Sequence, residues 1–445
     1  MIPFLPHQIE GAAFLSARER AGLFDEMGTG KTATTIAAID ALGAAKIMIV
    51  CPAAVKQVWI GELRKFSTRE LRVLNDKDVY NLKQWSRNGS AQVYVTSYEK
   101  AAKWGHFVED VFDVLVLDEA HYLKSPDAQR TKRILGAHCD GHKALASKAA
   151  QTWFLTGTPI PNDPTDVWSF MRFAGATTLT FAQFTRRYFF SKIGTFSSRQ
   201  EVKKELVPEL RALIESVSLR RTKHDIGLKL PPVWLTTATV DGDASEIVAL
   251  LRTWPGLEKA IVEAVEQGGL SFLDAQHIAT LRRLVGQAKA PAYIELVAEE
   301  LAGGLDKIVI MGAHKQALRM VRIGLEARGY KVVMIDGDTS ESARKEAVET
   351  FQADPEVRVF VGNIRAAGTG LTLTAAAHID MFESSWSPAD NAQALMRVHR
   401  LGQGRNVRAR FISLIDSIDE AVTETVSRKT AAIAELGIDF ATAAE

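Results

Sequence analysis

Residues 23–32, Leu-Phe-Asp-Glu-Met-Gly-Thr-Gly-Lys-Thr, end in the Gly-x-Gly-Lys-Thr core of a phosphate-binding loop. Gly28 and Gly30 allow backbone N–H groups to turn inward around phosphate oxygens, where a Cβ would obstruct. Lys31 then supplies a cation for the β- and γ-phosphates, and Thr32 a hydroxyl suited to Mg²⁺. Ala33 to Leu42 are good helix formers, so the loop is expected to open onto the positive end of a helix. Asp25 stands where such loops usually begin with glycine. Alone, the pattern is also compatible with a Gly-rich turn that holds no ligand. A second segment narrows the choice. Residues 112–121, Phe-Asp-Val-Leu-Val-Leu-Asp-Glu-Ala-His, read as an apolar strand ending in two adjacent carboxylates, Asp118 and Glu119. Ligands of open parallel sheets bind beyond the carboxyl ends of strands. Phosphoryl transfer to water needs one carboxylate to hold the metal and another group to position the attacking water. Asp118 suits the first role and Glu119 the second, whereas a solvated acidic pair would need no phosphate loop upstream. A third strand end, Phe154-Leu-Thr156-Gly-Thr158-Pro159, offers two hydroxyls in a tight turn. It gains a coupling role only in company with the other two.

The elements that must position these residues are visible as short Val-, Ile- and Leu-rich runs between longer helical stretches, the pattern of parallel sheets covered by helices. Strands are expected at 47–50, 93–96, 114–117 and 153–155, and again at 308–311, 332–335, 359–361, 379–382 and 411–414. Two separate series imply two α/β lobes, 1–230 and 231–445, with Pro231-Pro232 at the boundary. A helical protrusion is expected at about 166–218 and a helical insertion at about 244–301.

Composition sets wide limits. The chain has 445 residues, 47 % hydrophobic and 24 % charged, with a net charge of +1. That is the profile of a globular protein with room for two or three domains. No uncharged apolar run approaches the ~18 residues that span a bilayer, and the start, Met-Ile-Pro-Phe-Leu-Pro, lacks a secretory pattern. Only Cys51 and Cys139 occur, so neither a disulfide framework nor a cysteine-rich zinc site is expected. An intracellular setting follows: cytoplasm, nucleoid or nucleus. Charge is uneven: residues 183–232 carry eleven basic against five acidic side chains, a local excess of +6. The stretch reads equally as a solvated helical face or a surface that tracks phosphates.

Taken together, these segments resemble helicase superfamily 2, and in detail its Swi/Snf-related branch. Leu5-Pro-His-Gln8-Ile-Glu-Gly11 is similar to the element whose glutamine reads adenine. Ile49-Val-Cys-Pro52 with Trp59, and Val95-Thr96-Ser97-Tyr98, resemble elements that touch the DNA backbone. Asp118-Glu-Ala-His121-Tyr-Leu-Lys124 and Leu219-Arg220-Arg221-Thr-Lys223-His-Asp225 are closer to this branch than to helicases in general. In the second lobe, Asp336-Gly337 with Thr339 and Arg344 resembles a track-contacting turn. Ala366-Ala-Gly368-Thr-Gly370-Leu371, followed by Ser385-Trp386-Ser-Pro388, resembles the coupling element. Gln393-Ala-Leu-Met-Arg397-Val-His-Arg400-Leu-Gly-Gln403 is the most specific match. Its two arginines, three apart, are expected on one helical face, able to act on the γ-phosphate. The run ending in Lys289, and the Gly-Leu-Thr-Leu-Thr-Ala-Ala run, are most similar to the HARP-type annealing-helicase subgroup.

The resemblance implies two RecA-like parallel-sheet lobes with an ATP cleft between them. ATP and Mg²⁺ would be held by Gln8, Gly28, Thr29, Gly30, Lys31, Thr32, Gly368 and Gly370, with Thr32 and Asp118 on the metal. Lys31, Asp118, Glu119, Arg397 and Arg400 would carry catalysis, and His121, Thr156, Thr158 and Gln393 would couple it to movement. Trp59, Thr96, Ser97, Arg220, Arg221, Lys223, Asp336, Gly337, Thr339, Arg344 and Trp386 would contact nucleic acid. The expected activity is a DNA-dependent ATPase translocating on double-stranded DNA with little sequence preference, as a monomer away from membranes. Substrate specificity would come from a protein partner, from DNA structure, or not at all. With Met1 only a few residues before Gln8, no N-terminal regulatory domain is expected. The rival readings are a strand-separating helicase on single-stranded DNA or RNA, which would need a wedge between strands and which a stacking platform such as Tyr188, Phe189 and Phe190 would favour, a nucleotide switch without a track, and an inactive nucleic-acid-binding scaffold. Phe24, where a small residue is usual, is expected to be a packing difference behind the loop, and Pro161 to perturb the turn after Thr156.

Overall fold

The structure, a computed structural model, describes residues 3–68, 71–74, 91–104, 111–157, 164–193, 198–254, 256, 257, 259, 261, 265, 275–367 and 370–436. The chain divides into two compact units, one mainly of Met1–Ser191 and Gln200–Lys229, the other mainly of Leu230–Gly437.

The first unit is built on β1 (Arg20–Leu23), β2 (Lys46–Cys51), β3 (Leu71–Leu74), β4 (Ala91–Ser97), β5 (Phe112–Asp118) and β6 (Ala149–Leu155), with a separate pair, β7 (Phe189–Ile193) and β8 (Ser198–Val202), and a two-residue β9 (Ser218–Leu219). The main sheet runs β3-β4-β2-β5-β6-β1-β9, and its paired strands are parallel. Side chains alternate between faces with period two, so an unbroken apolar run feeds two cores at once. Ile47 and Ile49 join Val114 and Val116 on one face, while Met48 and Val50 join Leu115 and Leu117 on the other. The first face is covered by α1 (Pro6–Ser16), α2 (Lys31–Ala41) and α3 (Lys56–Phe66) through Leu15, Ile36, Ile39, Trp59 and Leu63. The helices Trp168–Ala174 and Val207–Val217 cover the second through Phe170, Met171, Leu210 and Ile214. Each large side chain so buried contributes roughly 1.5–3 kcal/mol, which is why both faces must be covered.

The second unit repeats this logic with β10 (Val233–Val240), β11 (Ile308–Gly312), β12 (Lys331–Ile335), β13 (Val357–Asn363), β14 (His378–Met381) and β15 (Val407–Leu414), ordered β10-β15-β14-β11-β13-β12 and parallel throughout. Val309 and Met311 enter one core, Ile308 and Ile310 the other.

Every strand expected from the apolar runs is present, and the structure adds β1, β3, β7, β8, β9 and β10. The four residues Arg-Ala-Gly-Leu form too short a run, with no β-branched or aromatic member, to signal a strand, yet β1 sits between β6 and β9. The stretch 166–218 is not purely helical, since β7 and β8 interrupt it. The stretch 244–301 carries the helices Ser245–Thr253 and Ala275–Ala302, the latter running through Pro291. Tyr188 and Phe189 are buried against Phe184, and of the triplet only Phe190 is exposed. One exposed ring is not a stacking platform. Phe24 is buried edge-on against Phe170, ring centroids 4.8 Å apart. Pro161 lies outside the described residues.

Candidate nucleotide site

Parallel register brings the three chemical segments together. Leu23 at the end of β1 pairs with Leu155 at the end of β6, and Leu155 pairs with Asp118 at the end of β5. The phosphate loop, the carboxylate pair and Thr156 therefore leave one sheet at one level. Gly28 and Gly30 adopt left-handed φ values of 85° and 89°, which L side chains rarely tolerate. Gly30 is also where α2 begins, and a Cβ there would lie 2.5 Å from the Gln8 amide nitrogen. Gln8 is thus packed over the loop from α1, its Oε1 accepting the Leu5 N–H at 2.9 Å. Neighbouring His7 meets the Thr29 carbonyl through Nε2 at 2.9 Å, and the Thr29 hydroxyl donates to the Glu26 carbonyl.

Lys31 donates to the carbonyls of Asp25 (2.7 Å) and Glu26 (3.1 Å), folded back along the loop it would use to hold phosphates. Burial pushes its pKa down, opposed by the carboxylates of Glu119, Asp25, Asp118 and Glu26. Thr32 follows, half-buried in the first turn of α2. The Thr32 hydroxyl and the Asp118 carboxylate are hard oxygen donors that would suit Mg²⁺, a cation that keeps waters and substrate phosphates in its shell. Lys31→Ala is expected to lower ATP turnover by on the order of 10²–10³ with the far-ultraviolet circular dichroism unchanged; equal turnover in the two proteins would remove Lys31 from the chemistry.

Asp118 is tightly held. Its Oδ2 accepts the Trp59 indole N–H at 2.7 Å, its Oδ1 accepts the Glu119 N–H at 2.9 Å, and its carbonyl accepts the Tyr98 hydroxyl at 2.8 Å. Burial, then the adjacent Glu119 charge, raises its pKa to about 6. Glu119 has φ 52°, a left-handed conformation that costs a non-glycine residue roughly 1–3 kcal/mol. Such strain is characteristic of functional sites. His121 Nδ1 lies 3.3 Å from the Glu119 carboxylate and 3.4 Å from the buried Thr156 hydroxyl, so His121 stands between Glu119 and Thr156. Thr158 lies outside the described residues.

Several expected nucleic-acid contacts are placed elsewhere by the structure. Trp59 and Thr96 have no exposed surface and Ser97 almost none. Trp59 faces Asp118, the Thr96 hydroxyl meets that of Tyr94, and Ser97 Oγ accepts the Lys100 N–H. Arg221 is not a surface cation either. It grips Asp25 through Nε (3.1 Å) and Nη2 (2.6 Å), and reaches Glu10 through Nη1 (2.8 Å). Asp25, the departure from glycine in the loop, is therefore the buried partner of this arginine. Lys223 pairs with Glu26 at 2.9 Å. In the same basic stretch Arg187 pairs with Glu209, and Lys203 donates to the carbonyls of Arg186 and Arg187. Arg221 and Lys223 are thus offset by carboxylates outside the basic stretch, while Arg220 is half-buried.

In the second unit, buried Asp336 accepts from the Asp338 N–H and the Thr339 hydroxyl, forming a compact turn around Gly337. Arg344 donates to the Ala366 carbonyl, tying that turn's helix to the short helix Ile364–Ala367, and Gly370 beyond it has φ 72°. Gly368 lies outside the described residues. Trp386 is half-buried, with the Arg282 guanidinium 4.9 Å from its ring centre. The two arginines are not on a helix. The helix Pro388–Leu395 ends before them, and Arg397 and Arg400 occupy the hydrogen-bonded turns that follow. Arg397 Nε donates to the Gln393 carbonyl and Arg400 Nη1 to the Leu371 carbonyl, both at 3.0 Å. Gln403, without an expected role, donates its amide to the carbonyls of Thr374, Ala376 and Val398, and the Leu373 N–H donates to the Arg397 carbonyl. These bonds stitch the arginine turn to the loop after Gly370.

Residues 7–254 match the SNF2-related domain and residues 291–402 the helicase conserved C-terminal domain. The chain belongs to the SNF2-related family, and each of its two units carries the helix-covered parallel sheet expected above. It is 28 % identical over 438 residues to the mouse (Mus musculus) protein DNA annealing helicase and endonuclease ZRANB3, covering 96 % of this chain and 40 % of that protein. It is 27 % identical over 447 residues to the Drosophila melanogaster SWI/SNF-related matrix-associated actin-dependent regulator of chromatin subfamily A-like protein 1, covering 98 % and 56 %. Among solved structures, the Sulfolobus solfataricus SWI2/SNF2 ATPase core in complex with dsDNA is 23 % identical, with a TM-score of 0.45, covering 98 % of this chain and 95 % of that one. The chain spans about two-fifths of the length of the mammalian relatives it matches.

Proposed function

We propose that this chain is a DNA-dependent ATPase that translocates on double-stranded DNA and remodels DNA structures or protein–DNA complexes, fork remodelling and strand annealing among them. The observation that carries the reading is the meeting of Lys31, Asp118, Glu119 and Thr156 at the aligned ends of β1, β5 and β6, in a chain of the SNF2-related family.

In this mechanism Gln8 recognises the base, and the N–H groups around Gly28 and Gly30 bind phosphate. Lys31 exchanges its two carbonyl partners for phosphate oxygens. Thr32 and Asp118 would hold Mg²⁺, which would supply charge neutralisation on the phosphates. Glu119 orients the attacking water and takes its proton, and Arg397 and Arg400 meet the charge that grows on the γ-phosphoryl oxygens. His121 and Thr156 pass the state of Glu119 to the backbone beyond Thr156, with Gln393, Gly368 and Gly370 acting in the second unit. Movement follows from the different nucleotide affinities of two conformations. Arg220, Gly337, Thr339, Arg344 and Trp386 remain the contacts proposed for the track. Contacts of this kind go chiefly to phosphates, which position without reading sequence.

The test is steady-state ATP hydrolysis without polymer and with duplex DNA, single-stranded DNA or RNA. Stimulation by duplex DNA above the other polymers is the expected result. Stimulation chiefly by single strands or RNA would replace the reading with a strand-separating helicase, and no stimulation by any polymer would leave a nucleotide switch.

A further inference from the structure

Trp59 reaches the site from a part of the chain that only the fold brings near it. β2 lies beside β5, with Val50 paired to Leu117, one residue before Asp118. The chain leaves β2 at Cys51, turns at Pro52, and enters α3 at Lys56, which puts Trp59 in the first turn of that helix and over the end of β5. The indole ring is fully buried in the apolar core with Val55, Leu63 and Ile49. A buried indole needs an acceptor for its single N–H. Here that acceptor is the carboxylate proposed to hold the metal, at 2.7 Å, the short distance of a charge-assisted bond.

The two groups that hold the Asp118 side chain, the indole N–H and the Glu119 backbone N–H, are both donors without acceptor capacity. Each occupies one carboxylate oxygen, so together they set the plane of the group while leaving lone pairs on both oxygens for a cation. The Tyr98 hydroxyl fixes the carbonyl of the same residue, and its ring stacks on Tyr122 with centroids 5.3 Å apart. Asp118 is therefore anchored from α3 at its side chain and from the end of β4 at its backbone.

We propose that Trp59 is a positioning residue for Mg²⁺, its indole N–H orienting the Asp118 carboxylate toward the metal of bound Mg·ATP. The inference rests on the ATPase reading given above. Partners of this kind that orient metal ligands are typically worth 10–100-fold in metal affinity.

The experiment compares the unaltered chain with Trp59→Phe and with a chain carrying 3-benzothienylalanine at position 59, which keeps the bicyclic shape and lacks the N–H. Binding of a fluorescent non-hydrolysable ATP analogue is followed twice, against Mg²⁺ concentration and in excess chelator. Both variants are expected to need roughly 10–100-fold more Mg²⁺ for half-maximal binding, with affinity in chelator unchanged. Trp153→Phe, which alters another fully buried tryptophan with its N–H on the Arg18 carbonyl, is expected to leave the Mg²⁺ requirement unaltered. A benzothienyl protein that titrates like the unaltered chain overturns the positioning role, as does an equal loss of affinity in chelator, which would mark Trp59 as packing alone. An unaltered chain that binds the analogue with no dependence on Mg²⁺ overturns the ATPase reading itself. If Trp59→Phe fails to fold, the benzothienyl protein decides.

Discussion

Arg400→Ala and, separately, Arg397→Ala should hydrolyse ATP about 10³–10⁵-fold more slowly than the unaltered chain while binding a non-hydrolysable analogue with unchanged affinity. The split between rate and affinity follows from what such a charge does. A guanidinium aimed at oxygens that become more negative during phosphoryl transfer stabilises the transition state above the ground state, and only that difference accelerates the reaction. Such a group works when it costs nothing to reorient. The turn that carries both arginines is held by Arg400 to the Leu371 carbonyl, by the Leu373 N–H to the Arg397 carbonyl and by the triple contact of Gln403. The check is single-turnover hydrolysis beside equilibrium binding of the analogue. Loss of affinity with an unchanged rate would assign the arginines to ground-state binding, and no change in either would make the turn a basic surface.

Arg221→Ala should cost about 3–5 kcal/mol of stability, measured as a lower denaturant midpoint with an unchanged slope. The substitution strands Asp25, whose side chain is 1 % exposed, without its bidentate partner. An unpaired buried carboxylate is far more costly than the pair is favourable. The outer contact to Glu10 adds little, because that carboxylate is 71 % exposed and screened by water. Replacing both partners, Arg221→Met with Asp25→Leu, should recover most of the loss. The damage should also reach the nucleotide loop, since the segment from Leu219 to Lys223 is bonded along it: Phe24 N–H to the Leu219 carbonyl, Glu26 N–H to the Arg221 carbonyl, and Lys223 N–H to the Glu26 carboxylate. A charge reversal at both Arg220 and Arg221 would therefore report on folding rather than on DNA, and Arg220 alone is the fair probe of the track. Unchanged stability together with a shallower salt dependence of duplex binding would restore Arg221 as a phosphate contact.

Much of this was legible before any coordinates. Apolar runs feeding two faces require a covered parallel sheet, and each expected strand is present. Gly28 and Gly30 require a backbone only glycine takes easily, and carboxylates at the end of an apolar run must emerge at a strand's carboxyl end. These features depend on neighbours in sequence, where local sterics and alternation decide the outcome. β1 was not legible because four residues with no β-branched or aromatic side chain carry no strand signal; its place between β6 and β9 comes from the sheet around it.

The amino-acid sequence by itself determined the class of fold, the phosphate loop, the acidic pair and the family. Tertiary structure decided which polar side chains face the site and which face each other. Trp59, Thr96, Ser97, Arg221 and Lys223 have types suited to a DNA backbone, yet a tryptophan and an arginine satisfy their donors with whichever acceptor the fold presents. For Trp59 that acceptor is 59 residues away, and for Arg221 it is 196 residues away. The spacing of Arg397 and Arg400 likewise fits a helix, but the helix stops at Leu395, and the turns after it are bonded through the Gln403 amide to the carbonyls of Thr374 and Ala376 and through the Arg397 carbonyl to the Leu373 N–H. Burial of polar groups is what separates the two lists: a donor taken out of water must find a partner in the folded chain, and which one is near is settled only when the sheets are packed.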